Sequence, residues 1–289
     1  MTIGPKTIIT GIILLTVAVL LSAQAQFYGG RGFRQSNQIY DQELLREQDE
    51  MEKAVPPAFK EDVFTFARLR FGAESEYRFG NSRIWDDDTP SADLNLTYRL
   101  FQVTSLKVRP GLNYVDITTK DLAKYPFVYV AAAGRMVLED DEVAALRNYL
   151  LNGGFMMVDD FWGDDQWQHF YEQIKRVFPD REPVELTLDH RIFHTVIDFK
   201  KLPQIPSVGA FQSYHLSYDP GWPYELKSHD PHYYAIYDDH QRMVALICHN
   251  NHYGDGWEHE TEDHRYFDAF SEPEAYPMFI NILVYAMTH

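Results

Sequence analysis

Two short apolar runs separated by one helical repeat constrain this chain most. "YPFVYVAAAG" (Tyr125 to Gly134) and "FMMVDD" (Phe155 to Asp160) lack the alternation of a half-exposed strand, so each must be covered on both faces. Between them, "LEDDEVAALRNYLLNGG" carries acids in its first turn and Gly153-Gly154 at its end, which predicts an amphipathic helix. A second helix is predicted in "DDQWQHFYEQIKRVF", on the spacing Trp167, Phe170-Tyr171, Ile174 and Phe178, with Asp164 or Asp165 as its cap. Strand, helix, strand, helix with short connections defines a right-handed, mostly parallel α/β sheet.

The flanking segments divide the chain into three parts. Lys6 followed by the apolar run Thr7 to Leu21 and the small residues Ala23 and Ala25 has the form of an export signal over residues 1–25, with an uncleaved membrane anchor as the alternative. Both readings place the rest outside the cytoplasm, in the periplasm or extracellular space, with membrane contact only through this segment. Residues 26–60 are polar and read as a tether with a short helix from Asp41 to Lys53, ended by Pro56-Pro57. The folded domain is expected over residues 61–289. It begins with a strand in "VFTFARLRF" (Val63 to Phe71), on which Arg68 and Arg70 share a face. A helix starting near Pro90-Ser91 follows, with Ser91 as cap and Leu94, Tyr98, Leu100 and Phe101 as its buried face. A hairpin turning at Asp238-Asp239 and a terminal apolar helix complete the pattern.

The formal charge of −17 opposes nucleic acid and anionic membrane surfaces by repulsion. The single cysteine, Cys248, excludes an internal disulfide, and its apolar neighbours make it a buried strand residue rather than a nucleophile.

With the segments placed, "FARLRF", "WDDDTPSADLNL", "YPFVYVAAAG", "LRNYLLNGGFMMVDDFWG", "DHRIFH" and "FINILVYAMT" together resemble the bacterial domain-of-unknown-function family 4159, within the class I glutamine-amidotransferase-like superfamily. The resemblance implies a flavodoxin-like three-layer sandwich with a mostly parallel sheet. In active amidotransferases of that superfamily a cysteine stands on a sharp turn after a buried strand. The corresponding turn here, after Phe155–Val158, carries Asp159-Asp160, so amidotransferase activity is not expected. The function expected is an exported, non-catalytic binding module for a small molecule or carbohydrate. A metal-dependent hydrolase and a scaffold in a membrane-associated complex are the alternatives.

Ligands of open parallel sheets collect outside the carboxyl ends of the strands, which makes Asp159 and Asp160 candidate ligand-binding residues; accepting loop amides is their structural alternative. His190, four residues before His194, is a candidate ligand or hydrogen-bond anchor. Trp85, beside Asp86 to Asp88, is a candidate sugar-stacking face, and Arg68 and Arg70 are candidates for holding an anionic group. The segment Cys248 to His264 sets His249, His252, His259 and His264 among five acids, which reads either as a polar surface loop or as a source of metal ligands. No cofactor is expected on the binding-module reading. On the alternative, Asp159, Asp160, His190, His249 and His252 hold a divalent metal that activates water.

Overall fold

Side chains along the central strands alternate between two apolar layers. Phe127 and Tyr129 of strand β5 (Phe127–Val130) join one core cluster, while Val128 and Val130 join the other. The same two-way sorting holds for β6 (Phe155–Val158) and for Leu246, Ile247 and Cys248 of β9 (Met243–His249). A period of two with both faces buried is what a central strand of a covered sheet requires.

The computed structural model describes residues 33–59, 62–72, 78–79, 82–216, 230–260 and 263–289. The chain divides into two units, Met1–Glu47 and Gln48–His289. In the first, the described residues are helical from Phe33; this helix, α1 (Phe33–Ala54), is longer than the expected Asp41–Lys53. Its Gln, Glu, Leu and Arg content favours helix, and Pro56-Pro57 cannot continue it. In the second unit, Met51 on the last turns of α1 is fully buried in the core, and Gln48 Oε1 accepts from the Gly111 amide at 2.6 Å. The export signal expected over residues 1–25 lies outside the described residues. Among those residues, no helix is long and apolar enough to cross a membrane.

The main sheet has seven strands. Five are parallel: β4 (Tyr114–Asp116), β1 (Arg68–Arg70), β5, β6 and β9, in that spatial order. Two antiparallel strands, β8 (His232–Tyr237) and β7 (Val184–Glu185), extend the sheet beyond β9. A separate two-stranded ribbon pairs β2 (Arg78–Phe79) with β3 (Ser82–Arg83). Counted along the chain, the parallel strands lie in the order 2-1-3-4-5, which is the flavodoxin-like arrangement and places a switch point between β1 and β5.

One face of the sheet is covered by α2 (Ser91–Val103) and the terminal helix α8 (Tyr276–Thr288), the other by α3 (Asp140–Leu151) and α4 (Gly163–Val177). Several boundaries differ from the sequence expectation. Ser91 is the first helical residue rather than the cap; Pro90 holds the cap position without a side-chain bond. The deepest residues of α2 include Asp93, Asn95 and Thr97, because these polar groups have partners inside the fold, whereas Leu94 and Tyr98 are only half-buried. Trp162 takes the cap position of α4, so Asp164 and Asp165 fall in its first turn, where the helix dipole favours carboxylates. The expected strand at Val63 to Phe71 narrows to β1, preceded by an isolated parallel bridge from Phe64 to Val108.

The segment after β9 is wall rather than surface. Residues 251–257 are all buried, most of them within the short helix α6 (Tyr253–Glu258), and Asp255 accepts from the first amide of α5 (Val208–Leu216). Beyond it, α7 (His264–Tyr266) runs through a π-helical stretch, Phe267–Ala275, into α8.

Candidate functional site

Three loops leaving the carboxyl ends of β1, β6 and β9 bring one imidazole and four carboxylates together. His252, after β9, lies 3.1 Å through Nε2 from Asp88 Oδ2, and through Nδ1 3.5 Å from Asp160 Oδ1 and 3.4 Å from Asp255 Oδ2. The fourth, Asp159, is fully buried. Its Oδ2 accepts from the Tyr129 hydroxyl at 2.9 Å and from the amides of Tyr253 at 2.6 Å and Gly254 at 3.3 Å. Its Oδ1 is buried and has no hydrogen-bond partner.

Each loop is fixed by its own sequence. The Asp88 loop rests on Arg68, whose guanidinium is buried, pairs Asp93 through Nε at 2.8 and 3.0 Å, and donates to the Asp87 carbonyl at 2.6 Å. Arg68 also lies 5.2 Å over the Tyr129 ring, which ties β1 to β5 beneath the cluster. The His252 loop is pinned by aromatics four residues apart on α6. Trp257 meets Phe66, Tyr129 and Phe279 at ring-centroid distances of 6.0, 5.6 and 5.2 Å, and Tyr253 shares a 2.5 Å hydroxyl contact with Tyr233. Asn95 of α2 donates to the Trp257 and Glu258 carbonyls at the end of α6, groups no intrahelical donor reaches. That bond explains a buried asparagine on a helix face the pattern assigned to leucine.

Left-handed backbone concentrates here. Asp88 (φ 63°), Ala132 (φ 49°), Asp160 (φ 59°) and Asn250 (φ 59°) all stand in loops at the carboxyl edge. Asp and Asn visit this region at modest cost, but Ala132 does so against its β-carbon, and strain of this kind gathers at functional sites. Gly254 is required for a different reason: a β-carbon there would overlap Asp88 Oδ2 and stand 3.3 Å from the Tyr129 hydroxyl. The same contact shows that Asp88, Tyr129 and Asp159 meet at one point.

The electrostatics follow from burial of more acid than base. Burial pushes the Asp159 carboxyl up to about 7, against the opposing pull of His252 and of the Tyr129 hydroxyl. Asp160 rises to about 7 for the same reason, with Asp88 and Asp159 adding to the rise and His252 opposing it. Burial lowers His252, but Asp160, Asp255 and Asp88 outweigh it and hold the imidazole well above its ordinary range. Asp255 is held down to about 2, burial being overcome by His252 and His259. One ligand atom each from Asp88, His252 and Asp255 lie within 4.8 Å of one another, as do those of Asp255, Glu258 and His259.

A family model described as Domain of unknown function (DUF4159) matches residues 65–287, which include all three loops. The chain belongs to the DUF4159 family. No curated protein matches it.

Within this DUF4159 chain, the candidates read from sequence separate into distinct places. Asp159, Asp160 and His252 come together, and Arg68 lies beneath them as a positioning residue for the Asp88 loop. His249 points to the α3–α4 face, where it stacks on Phe161 at 5.0 Å and Trp167 at 5.1 Å, because three positions along strand and turn separate it from His252. His190 caps the short 3-10 turn Arg191–His194 by accepting from the Ile192 amide, and its Nε2 meets the Tyr237 hydroxyl. Tyr237 pairs with Met243 at the start of β9, whereas Val158 pairs with Ile247 near its end, so His190 belongs to the opposite edge of the sheet. Trp85 and Arg70 form another group at the β1–β4 edge, with Tyr114 5.3 Å from the Trp85 ring and Asp116 paired to Arg70 at 2.6 Å. Cys248 faces the α2–α8 core, and burial drives its thiol well above the ordinary value, the opposite of an activated nucleophile.

Asp88, Asp255, Tyr129 and Gly254 were not among the sequence candidates. Asp88 was visible as part of an acidic run beside Trp85, and Asp255 within a loop of many acids. Tyr129 has no signal, since it sits in an apolar run as a core residue would.

Proposed function

We propose that this DUF4159 chain is a ligand-binding α/β domain without cysteine chemistry, whose site is the cradle of Asp88, Asp159, Asp160, Asp255 and His252. The observation that carries the reading is Asp160. It is the left-handed residue of the Asp159-Asp160 turn after a buried parallel strand, a turn on which the amidotransferase-like resemblance would require a thiol, and it presents a carboxylate to an imidazole instead. An acid-rich, buried cradle selects a positively charged ligand. The run Thr7 to Leu21 with Ala23 and Ala25, which has the form of an export signal, supports a role outside the cytoplasm, and the acidic charge opposes nucleic acid.

Two measurements test this. Glutamine incubated with the full chain is expected to release no ammonia; release abolished by Cys248→Ser would overturn the reading. A thermal-shift screen of amines, amino acids and inorganic cations is expected to yield a stabilising ligand whose effect vanishes in Asp160→Asn, a change that keeps the left-handed turn accessible. A screen in which Asp160→Asn responds like the unaltered chain to every ligand contradicts it.

A metal-assisted hydrolase is the second reading, favoured by the Asp159 carboxyl, which burial raises to about 7, the range that suits a general base near neutral pH. Hydrolysis of a phosphate or sugar ester that Asp159→Asn abolishes would support it, and absence of turnover on both ester classes would dismiss it.

A further inference from the structure

We infer that the cradle binds a single divalent metal cation of the hard, oxygen-preferring class, through Asp88, Asp255 and one nitrogen of His252. The inference rests on the ligand-binding reading above and names its ligand class.

Size decides between cations. Ligand atoms of Asp88, His252 and Asp255 lie within 4.8 Å of one another. Metal–oxygen bonds of about 2.0–2.6 Å put atoms on opposite sides of one ion roughly 4–5 Å apart, so this spacing fits one coordination sphere. An ammonium bearing carbon substituents does not fit between atoms so close.

Charge points the same way. Arg68, the guanidinium nearest the cluster, is committed to Asp93 in a buried pair. His259 is engaged by Asp255 Oδ1 at 3.5 Å and by Glu258 at 3.0 Å. His252 and His259 thus face Asp88, Asp160, Asp255 and Glu258, a buried excess of carboxylate that a further cation offsets.

An independent observation lies beside this set. Asp159 is 0% exposed, its Oδ1 lacks any hydrogen-bond partner, and its carboxylate reaches the cluster through Tyr129 and Gly254, which also border Asp88. A buried carboxylate oxygen without a donor is rare in a native fold, and a nearby ion is one of the arrangements that accounts for it.

The surrounding bonds resemble the outer shell of a metal centre. Asp159 Oδ2 is held by a hydroxyl and two amides, and Asp255 Oδ2 accepts from the Val208 amide at 2.6 Å. The donors are carboxylate oxygens with one imidazole and no thiolate, since Cys248 faces the α2–α8 core. Such a set suits Mg²⁺ or Mn²⁺ better than the nitrogen- and sulfur-rich cages of structural zinc.

The test uses the full chain without a histidine tag, stripped with chelator and titrated with Mn²⁺, free ion being read by electron paramagnetic resonance. One Mn²⁺ per chain is expected, competed by Mg²⁺, with affinity reduced tenfold or more in Asp255→Asn and Asp88→Asn and unchanged in Asp180→Asn, an exposed control. Because a variant may misfold, the Mn²⁺-loaded unaltered chain supplies a second readout: electron spin-echo modulation from one imidazole nitrogen. Failure to saturate at one ion, or a bound ion without nitrogen coupling, overturns the inference. If that failure accompanies an organic ligand lost in Asp160→Asn, the binding reading stands and the metal is rejected. If that failure comes with no ligand of any kind depending on Asp160, both fall.

Discussion

At the scale of single residues, the account depends on a few groups that have no reason to be buried except the cradle. Arg68 is the clearest. Removing it as Arg68→Met leaves Asp93 buried without its cation, and a broken buried pair costs about 3–5 kcal/mol. Urea unfolding should show that loss, and the double variant Arg68→Met with Asp93→Leu should recover most of it, since an apolar pair of similar volume replaces the ions. Gly254→Ala tests the close approach of α6 to Asp88: the added methyl overlaps Asp88 Oδ2, and overpacking of this kind costs about 1–3 kcal/mol. Thermal unfolding should register that cost together with weakened ligand binding; an unchanged melting temperature would mean that Asp88 moves aside freely. Legibility at this scale was uneven. Asp159 and Asp160 could be read because carboxylates at the end of an apolar strand stand out, whereas Tyr129 acts through a hydroxyl at a position where only its ring shows in the pattern.

Among elements, strands and long helices followed from periodicity, and the parts that did not are those where polar residues have tertiary partners. The face of α2 carries Asp93, Asn95 and Thr97 inward beside Leu96 and Leu100, so the hydrophobic pattern placed Leu100 in the core, set Leu94 too deep and missed the buried polar residues. The segment from Cys248 to His264 read as a polar surface loop or a source of metal ligands because its histidines and acids stand out in the composition. Its aromatic spacing, Tyr253 and Trp257, is what buries residues 251–257. The 3-10 turn Arg191–His194 offers a separate prediction. Its cap, His190, must be neutral to accept from the Ile192 amide through Nδ1, and burial lowers its pKa, Asp189 opposing that shift and His289 adding to it. A folded-state pKa below the unfolded value of about 6.5 makes the contribution full above that pH, and it is lost as pH falls through the lowered folded value. His190→Ala should therefore cost about 1 kcal/mol at pH 7.5 and progressively less towards pH 5, as measured by paired thermal melts.

On the scale of the whole molecule, the 2-1-3-4-5 order of the parallel strands gathers the loops of β1, β6 and β9 at one edge, and this topology assembles residues as distant in sequence as Asp88 and Asp255. The mostly parallel α/β architecture was legible from alternating apolar runs and amphipathic segments. The meeting of the three loops was not, because it depends on strand order, which periodicity does not encode. The central claim is that this edge is a cation site. Crystals of the full chain grown with Mn²⁺ and measured at the manganese absorption edge test it most directly. One anomalous peak is expected within bonding distance of Asp88, Asp255 and His252. A map without a peak there, or with manganese only at exposed carboxylates such as Asp180, would contradict it.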